Sequence, residues 1–267
     1  MAEPSLPSAF RFLADEKNVA VDAALLEALP HMDGAAQPAA LKLLIERDHL
    51  PSQVSLIGGF AEPHEPLRTL LTQHVGDLFG AVRAAVDSSV FEHRAGAIEL
   101  IVETRCGPLV YLLAAGLRSR CQRTRELAAE GLHGMTAGLL SRLDKGPDVS
   151  EIAALNTLAE GLAEGLAEAL RRAVLTWEIH TRREALEAAL WMVDRVGGVI
   201  RRKLNEPQTR IARAICEILE GTSDPRLAGF AFRALTMPPL RASAVSAIGR
   251  ATNVTFRQAV VGRVQEI

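Results

Sequence analysis

The sequence predicts an all-α chain, and three observations carry that prediction. Alanine (42) and leucine (37) make up 79 of the 267 residues, and both favour helix. Apolar residues recur at helical spacing along most of the chain. Aromatics are only 4%, and there is neither the β-branched enrichment of an all-β protein nor the alternation of Val/Ile-rich strands with helices that a parallel sheet needs. Hydrophobic residues at 48% and charged residues at 23% give enough apolar material for a core and exclude a disordered or collagen-like chain.

The elements follow in order. Residues 1–18 read as an N-terminal extension. From residue 19, Val21, Leu25, Leu26 and Leu29 share one helix face before Pro30 and the Asp33-Gly34 turn. A second helix starts at Pro38, carries Ala40, Leu41, Leu44 and Ile45, and stops before Pro51, since proline disfavours helical geometry in the preceding residue. Two glycines and two prolines make Gly58–Pro66 a loop. Helical runs follow near 67–87, 91–104, 108–117 and 122–143, and a loop at 144–150 divides two halves. Asp148 or Ser150 caps the next helix, with Glu151 near its positive end.

That helix, 151–176, repeats Leu-Ala-Glu-Gly and lines up Leu158, Leu162, Leu166 and Leu170. Gly161 and Gly165 cost about 1 kcal/mol each relative to alanine within a helix, which predicts a neighbouring backbone close by. Further helices are predicted at 181–196, 198–203, 207–220, 224–236, 239–250 and 255–265. Gly197-Gly198, Pro207, Gly221–Pro225 and Pro238-Pro239 mark the breaks.

Six helices open on an arginine followed by small or apolar residues: Arg94, Arg125, Arg183, Arg210, Arg226 and Arg241. The intervals Arg94 to Arg125 and Arg210 to Arg241 are both 31, Arg125 to Arg183 is 58, and Arg183 to Arg210 is 27. A repeat of about 30 residues accounts for them, and self-similarity of that period marks a stack of helix pairs. Leu240-Arg241-Ala242-Ser243-Ala244-Val245-Ser246-Ala247-Ile248-Gly249 resembles the second helix of short HEAT repeats, Val/Leu-Arg-x-x-Ala-x-x-Ala-Leu/Ile-Gly. The resemblance extends over about 91–140 and 181–250, is weaker over 19–88, and is poorest over 151–176. It implies an α-solenoid of stacked antiparallel helix pairs, a HEAT-like superhelix, as one domain over 19–267. It also implies a structural role for the six arginines, which in that family bond to the neighbouring turn.

Catalytic signatures are missing: no phosphate-binding glycine loop, dinucleotide fingerprint, Gly-x-Ser-x-Gly elbow or His-Glu-x-x-His occurs. Glu46-x-x-His49 and Glu130-x-x-His133 have the spacing of di-iron bundle ligands. The two further bridging glutamates and the long helices of such bundles are missing around Glu46 and His49, so these four read as ordinary side chains. HEAT-like iron hydroxylases repeat a His-Glu dipeptide, and only His64-Glu65 has that order here. No metal or cofactor is expected. Cys106, Cys121 and Cys216 are odd in number and widely spaced, which suits reduced thiols and a cytoplasmic location. No apolar run approaches the roughly 20 residues of a membrane span, and no secretory leader is expected.

The net charge is −2. Residues 151–267 hold 16 Lys+Arg against 13 Asp+Glu, whereas 1–150 hold 14 against 19. In the basic half, Arg171, Arg172, Arg182, Arg201, Arg202 and Lys203 are candidate binding residues on one ridge, with Arg183 beside them and Trp177 as the better candidate for an exposed contact. Trp191, inside Ala188-Ala189-Leu190-Trp191-Met192, reads as core. The expected function is a protein–protein scaffold or adaptor, a subunit or assembly factor whose partner is another protein. The alternative is nucleic-acid binding or base excision, since HEAT-like DNA glycosylases hold DNA in a cationic, tryptophan-bearing groove.

Overall fold

The computed structural model describes residues 13, 18–32, 35–61, 65–145, 152–206, 209–221 and 224–265, and no strand occurs among them. The protein is all-α. Its packing falls into two compact units, Met1–Leu112 and Leu113–Ile267.

The first unit contains α1 (Ala20–Ala28), α2 (Ala36–Glu46), α3 (Leu50–Gly58), α4 (Glu65–Gln73), α5 (Phe79–Val86) and α6 (Phe91–Thr104). Helix α3 lies at its centre, packed on α1, α2, α5 and α6, while α4 reaches α2 and α6. Leu41, Leu44, Ile57, Phe60, Leu71, Ile98 and Ile101 fill the core. Pro51 does not stop the second helix, which ends at Glu46; it occupies the first turn of α3, where its missing N–H has no partner to lose. Asp48 takes a left-handed conformation (φ 49°) to turn the chain between the two helices. The run predicted at 67–87 divides at 74–78, where His74 Nδ1 lies 3.1 Å from Asp77.

Helix α7 (Tyr111–Gly116) spans the boundary. The second unit continues with α8 (Gln122–Lys145), α9 (Ile152–Leu175), α10 (Trp177–His180), α11 (Arg183–Trp191) and α12 (Val193–Leu204). It ends with α13 (Ile211–Gly221), α14 (Ala228–Ala234), α15 (Arg241–Arg250) and α16 (Val254–Gln265). Helix α13 packs on α11 and on α15, and α14 packs on α16, so helices two apart in sequence are neighbours. The long α9 meets α8, α11 and α12. Leu132, Leu166, Leu170, Leu190, Ile215 and Phe230 are buried here.

Several sequence expectations change. The chain bends at Met192 (φ −96°, ψ 33°) and α12 runs straight through Gly197-Gly198. Leu162, Leu166 and Leu170 are buried, but Leu158 is 71% exposed and leaves their stripe. Outside its own helix backbone, no atom of the described residues lies within 4 Å of the position a Cβ on Gly161 would take, so no neighbouring helix approaches it closely. The close approach is at Gly96 in α6, where a Cβ would stand 1.8 Å from the carbonyl oxygen of Ile57 in α3. Of the loop predicted at 144–150, residues 144 and 145 belong to α8; its remainder and the break assigned to Pro207 lie outside the described residues, as does nearly all of the 1–18 extension.

Turns before the helices are closed by side chains. The N–H two residues ahead is accepted by Asn18, Ser88, Ser119, His180, Thr209 and Asp224, which meets donors that helix starts leave unpaired. Two of these turns are alike in a further bond: Arg94 donates to the carbonyl of Ser88 at 2.6 Å and Arg125 to that of Ser119 at 2.7 Å.

Candidate binding surface

Most of the basic ridge is occupied by carboxylates of the same unit. On α9, Arg171 reaches Glu164 at 3.4 Å and Glu168 at 3.5 Å, and Arg172 reaches Glu168 at 2.7 Å. Arg195 of α12 bridges to α9 through Glu160 at 2.9 Å and Glu164 at 3.0 Å. Arg182 pairs with Glu126 of α8 at 2.9 Å. Lys203, buried along its stem, lies 2.6 Å from Glu206 and 3.0 Å from Glu178. The Arg172 bond holds the Glu168 carboxyl below its ordinary range. The bonds to Glu206 and Glu178 push the Lys203 ammonium up. Glu184 makes no ion pair with a described residue.

Trp177 does not reach solvent: it is 5% exposed and meets the His180 ring edge-on at 5.5 Å. The polar neighbours Glu178 and His180 suggested an outward face, but the four-residue α10 turns both rings inward. His180 Nε2 lies 2.9 Å from the carbonyl oxygen of Ala173, and its Nδ1 accepts the Arg182 N–H at 3.0 Å. Those partners assign the neutral tautomer with the proton on Nε2, and burial lowers the imidazole's proton affinity below the ordinary value.

Arg201 and Arg202, in the last turn of α12, remain exposed and make no ion pair with a described residue. Arg201 flanks a shallow cavity of about 140 Å³ whose other walls are Leu204, Asn205, Thr236, Met237, Pro238 and Pro239. No acidic side chain lines it. Helix α12 ends at Asn205, and the proline pair starts the turn into α15, so both walls are set by helix termini. The result is a small apolar pocket with one guanidinium at its edge.

Of the repeated arginines, Arg94 and Arg125 bond to the preceding turns as described. Arg226 donates to Asp224 from Nε and Nη2 and lies 3.8 Å from the centroid of the Trp191 ring. The side chains of Arg183, Arg210 and Arg241 make no hydrogen bond or ion pair with a described residue. Trp191 is buried, with the His133 ring 4.5 Å away and its Nε1 without a partner among the described residues. His133 Nε2 faces Glu187 at 3.7 Å rather than Glu130. Likewise His49 turns to Asp22 at 3.3 Å, while Glu46 turns to Lys42. No group of metal-binding side chains occurs among the described residues, and no described helix is long and apolar enough to cross a membrane. The Trp191–Arg226 stack, missed in the sequence, had one local signal: Asp224-Pro225-Arg226 places an acid where it holds the arginine.

No protein-family model and no curated protein matches this sequence.

Proposed function

We propose that this chain is a scaffold or adaptor built of HEAT-like helix-pair repeats, and that it captures a segment of another protein at the α12 terminus. The repeat reading draws support from the twin turns at Ser88/Arg94 and Ser119/Arg125, which are 31 residues apart. It is supported also by the α11, α13, α15 stacking, in which each helix meets the one two further on. Within each unit the proposal is an α-solenoid stack, with arginines tying helix starts to the turns before them.

One observation carries the binding assignment: Arg201, without an ion-pair partner among the described residues, stands beside a cavity walled by Leu204, Met237, Pro238 and Pro239. An apolar side chain of a partner fits such a pocket while a carboxylate or backbone carbonyl meets the guanidinium, and arginine beside an apolar anchor site is a common source of interface energy. Nucleic-acid binding is the less favoured reading because the ridge that was to hold phosphates is neutralised at Arg171, Arg172, Arg182 and Lys203. The tryptophan that was to stack on a base is buried.

The test is capture at near-physiological salt by the wild-type chain and by the Arg201→Glu/Arg202→Glu variant, alongside a gel shift of labelled duplex DNA at low salt. Recovery of a discrete polypeptide by the wild type and its loss in the variant supports the proposal. No polypeptide lost on charge reversal, or a DNA shift abolished by the same variant, overturns it.

A further inference from the structure

Helices α8 and α9 have 24 residues each, whereas α11 and α12, which pack on them, have 9 and 12. Cover therefore runs out before the two long helices do. The last described buried side chain of α8 is Leu139 and the first of α9 is Leu162; no described side chain from 140 to 161 is buried. Six residues of α8 and ten of α9, about 9 and 15 Å of helix, stand beyond that cover. Leu143, four residues past Leu139, is 60% exposed, and Leu158, four before Leu162, is 71% exposed. Residues four apart share a helix face, so Leu158 leaves the buried stripe because the cover ends and not because the helix turns. The α9 overhang from Ile152 to Ala159 contains no charged residue, and a helix with no charged face is suited to burial.

We infer that the bare end of the α8–α9 hairpin docks on the same end of a second copy of this chain, the two hairpins closing a four-helix bundle about a twofold axis. A lone helix pair has no third surface on which to bury its leucines, and an identical pair supplies one. Charge also selects a second copy. Between 140 and 161 the charged residues are Arg142, Asp144 and Lys145 on the α8 arm, Asp148 and Glu151 on the way into α9, and Glu160, which Arg195 holds. The α8 arm is net basic and the approach to α9 is acidic. A twofold axis along the hairpin sets each α8 arm beside the other copy's α9 arm, so opposite charges meet twice, whereas a partner of one sign matches only one arm. The overhang offers sixteen helical residues per copy, fewer than the roughly 20–30 a side of a standard stable interface, which sets the association in the micromolar range. This surface is independent of the pocket at Arg201.

Sedimentation velocity of the full chain, from about 1 to about 200 µM, reads the association. The weight-average mass is expected to rise with concentration from 28.8 kDa toward twice that value. Leu143→Glu and Leu158→Glu, tested singly, each weaken the association about tenfold or more; both side chains are exposed, and circular dichroism checks that each variant is folded. Val261→Asp, at an exposed apolar position on α16, leaves it unchanged. So does Arg201→Glu/Arg202→Glu, which separates failure here from failure of the pocket assignment. The inference is overturned if the chain stays at 28.8 kDa throughout, or if both leucine variants associate like wild type. It is equally overturned if Val261→Asp weakens association as much as they do, or if the mass climbs past twice that of one chain, since a twofold contact closes on itself.

Discussion

Replacing Gly96 with alanine puts a methyl group 1.8 Å from the carbonyl oxygen of Ile57, 2.8 Å from its carbon and 3.2 Å from Cα of Gly58. Ordinary van der Waals contact begins near 3.4 Å, so α6 and α3 must part by about 1.6 Å at their closest point. The obstacle is backbone of the central helix of the first unit, and no rotamer change relieves it. Overpacking of this kind costs about 1–3 kcal/mol, and a backbone obstacle belongs at the upper end. The alanine returns up to about 1 kcal/mol of helix propensity. The expected net loss is about 2 kcal/mol, or roughly 4–8 °C in Tm at about 2–4 °C per kcal/mol for a chain of this size. Gly161→Ala is the matched control: its Cβ meets nothing within 4 Å, so only the propensity term acts and stability rises by up to about 1 kcal/mol. Thermal melts followed by circular dichroism read both variants. A Gly96→Ala protein as stable as wild type, or a Gly161→Ala protein less stable, refutes the assigned helix approach.

Three further outcomes follow from the second unit. The folded state holds His180 neutral, with a proton affinity below the ordinary 6.5; its contribution is whole above pH 6.5 and is lost as pH falls toward the depressed folded value. Denaturant midpoints therefore fall below pH 6.5 in the wild type, and His180→Gln flattens that slope; an unchanged slope contradicts the assignment. Arg226→Ala removes the guanidinium from the Trp191 ring and its side-chain bonds to the Asp224 carboxylate, with an expected cost of about 1–3 kcal/mol in chemical denaturation. The same variant shifts the intrinsic fluorescence of Trp191, whereas Arg172→Ala, removing an exposed helix-surface pair, changes stability by less than about 1 kcal/mol.

The helices with strong periodicity and clear punctuation were legible: 91–104 is predicted and found, and 122–143 runs only two residues further, to Lys145. Where one residue serves two purposes, reading failed. Pro51 signals a stop, yet α2 ends earlier, at Glu46 before the left-handed Asp48, and Pro51 sits in the first turn of α3, where its missing N–H costs nothing. Gly197-Gly198 carries the local signal for a break, but the chain bends at Met192, letting α11 and α12 both pack on α9, and tertiary contacts outweigh propensity. Glycines in helices are visible in a sequence, whereas the face each turns to a neighbouring helix is not. Gly161 attracted attention by its spacing, yet it meets no neighbouring helix, and Gly96 proved to be a contact point.

The site was legible as charge and not as pairing. The cluster of basic residues is plain, but Glu126, the partner of Arg182, is 56 residues away, and Glu178 reaches Lys203 across a turn and a helix. Only folding distinguishes the neutralised cations from Arg201 and Arg202. Trp177 was misjudged because flanking polarity reports which side of a helix is wet only when the helix is long enough to have sides.

What occupies the pocket beside Arg201 decides between a protein scaffold and a nucleic-acid binder. A photo-crosslinking side chain in place of Asn205, activated in cells that express the full chain, is expected to give a discrete protein adduct. That adduct disappears in the Arg201→Glu/Arg202→Glu background, while a crosslinker at exposed Gly161 gives none of it. A nucleic-acid adduct at Asn205, or a protein adduct that survives the charge reversal, contradicts the assignment of this pocket as the anchor of a protein scaffold.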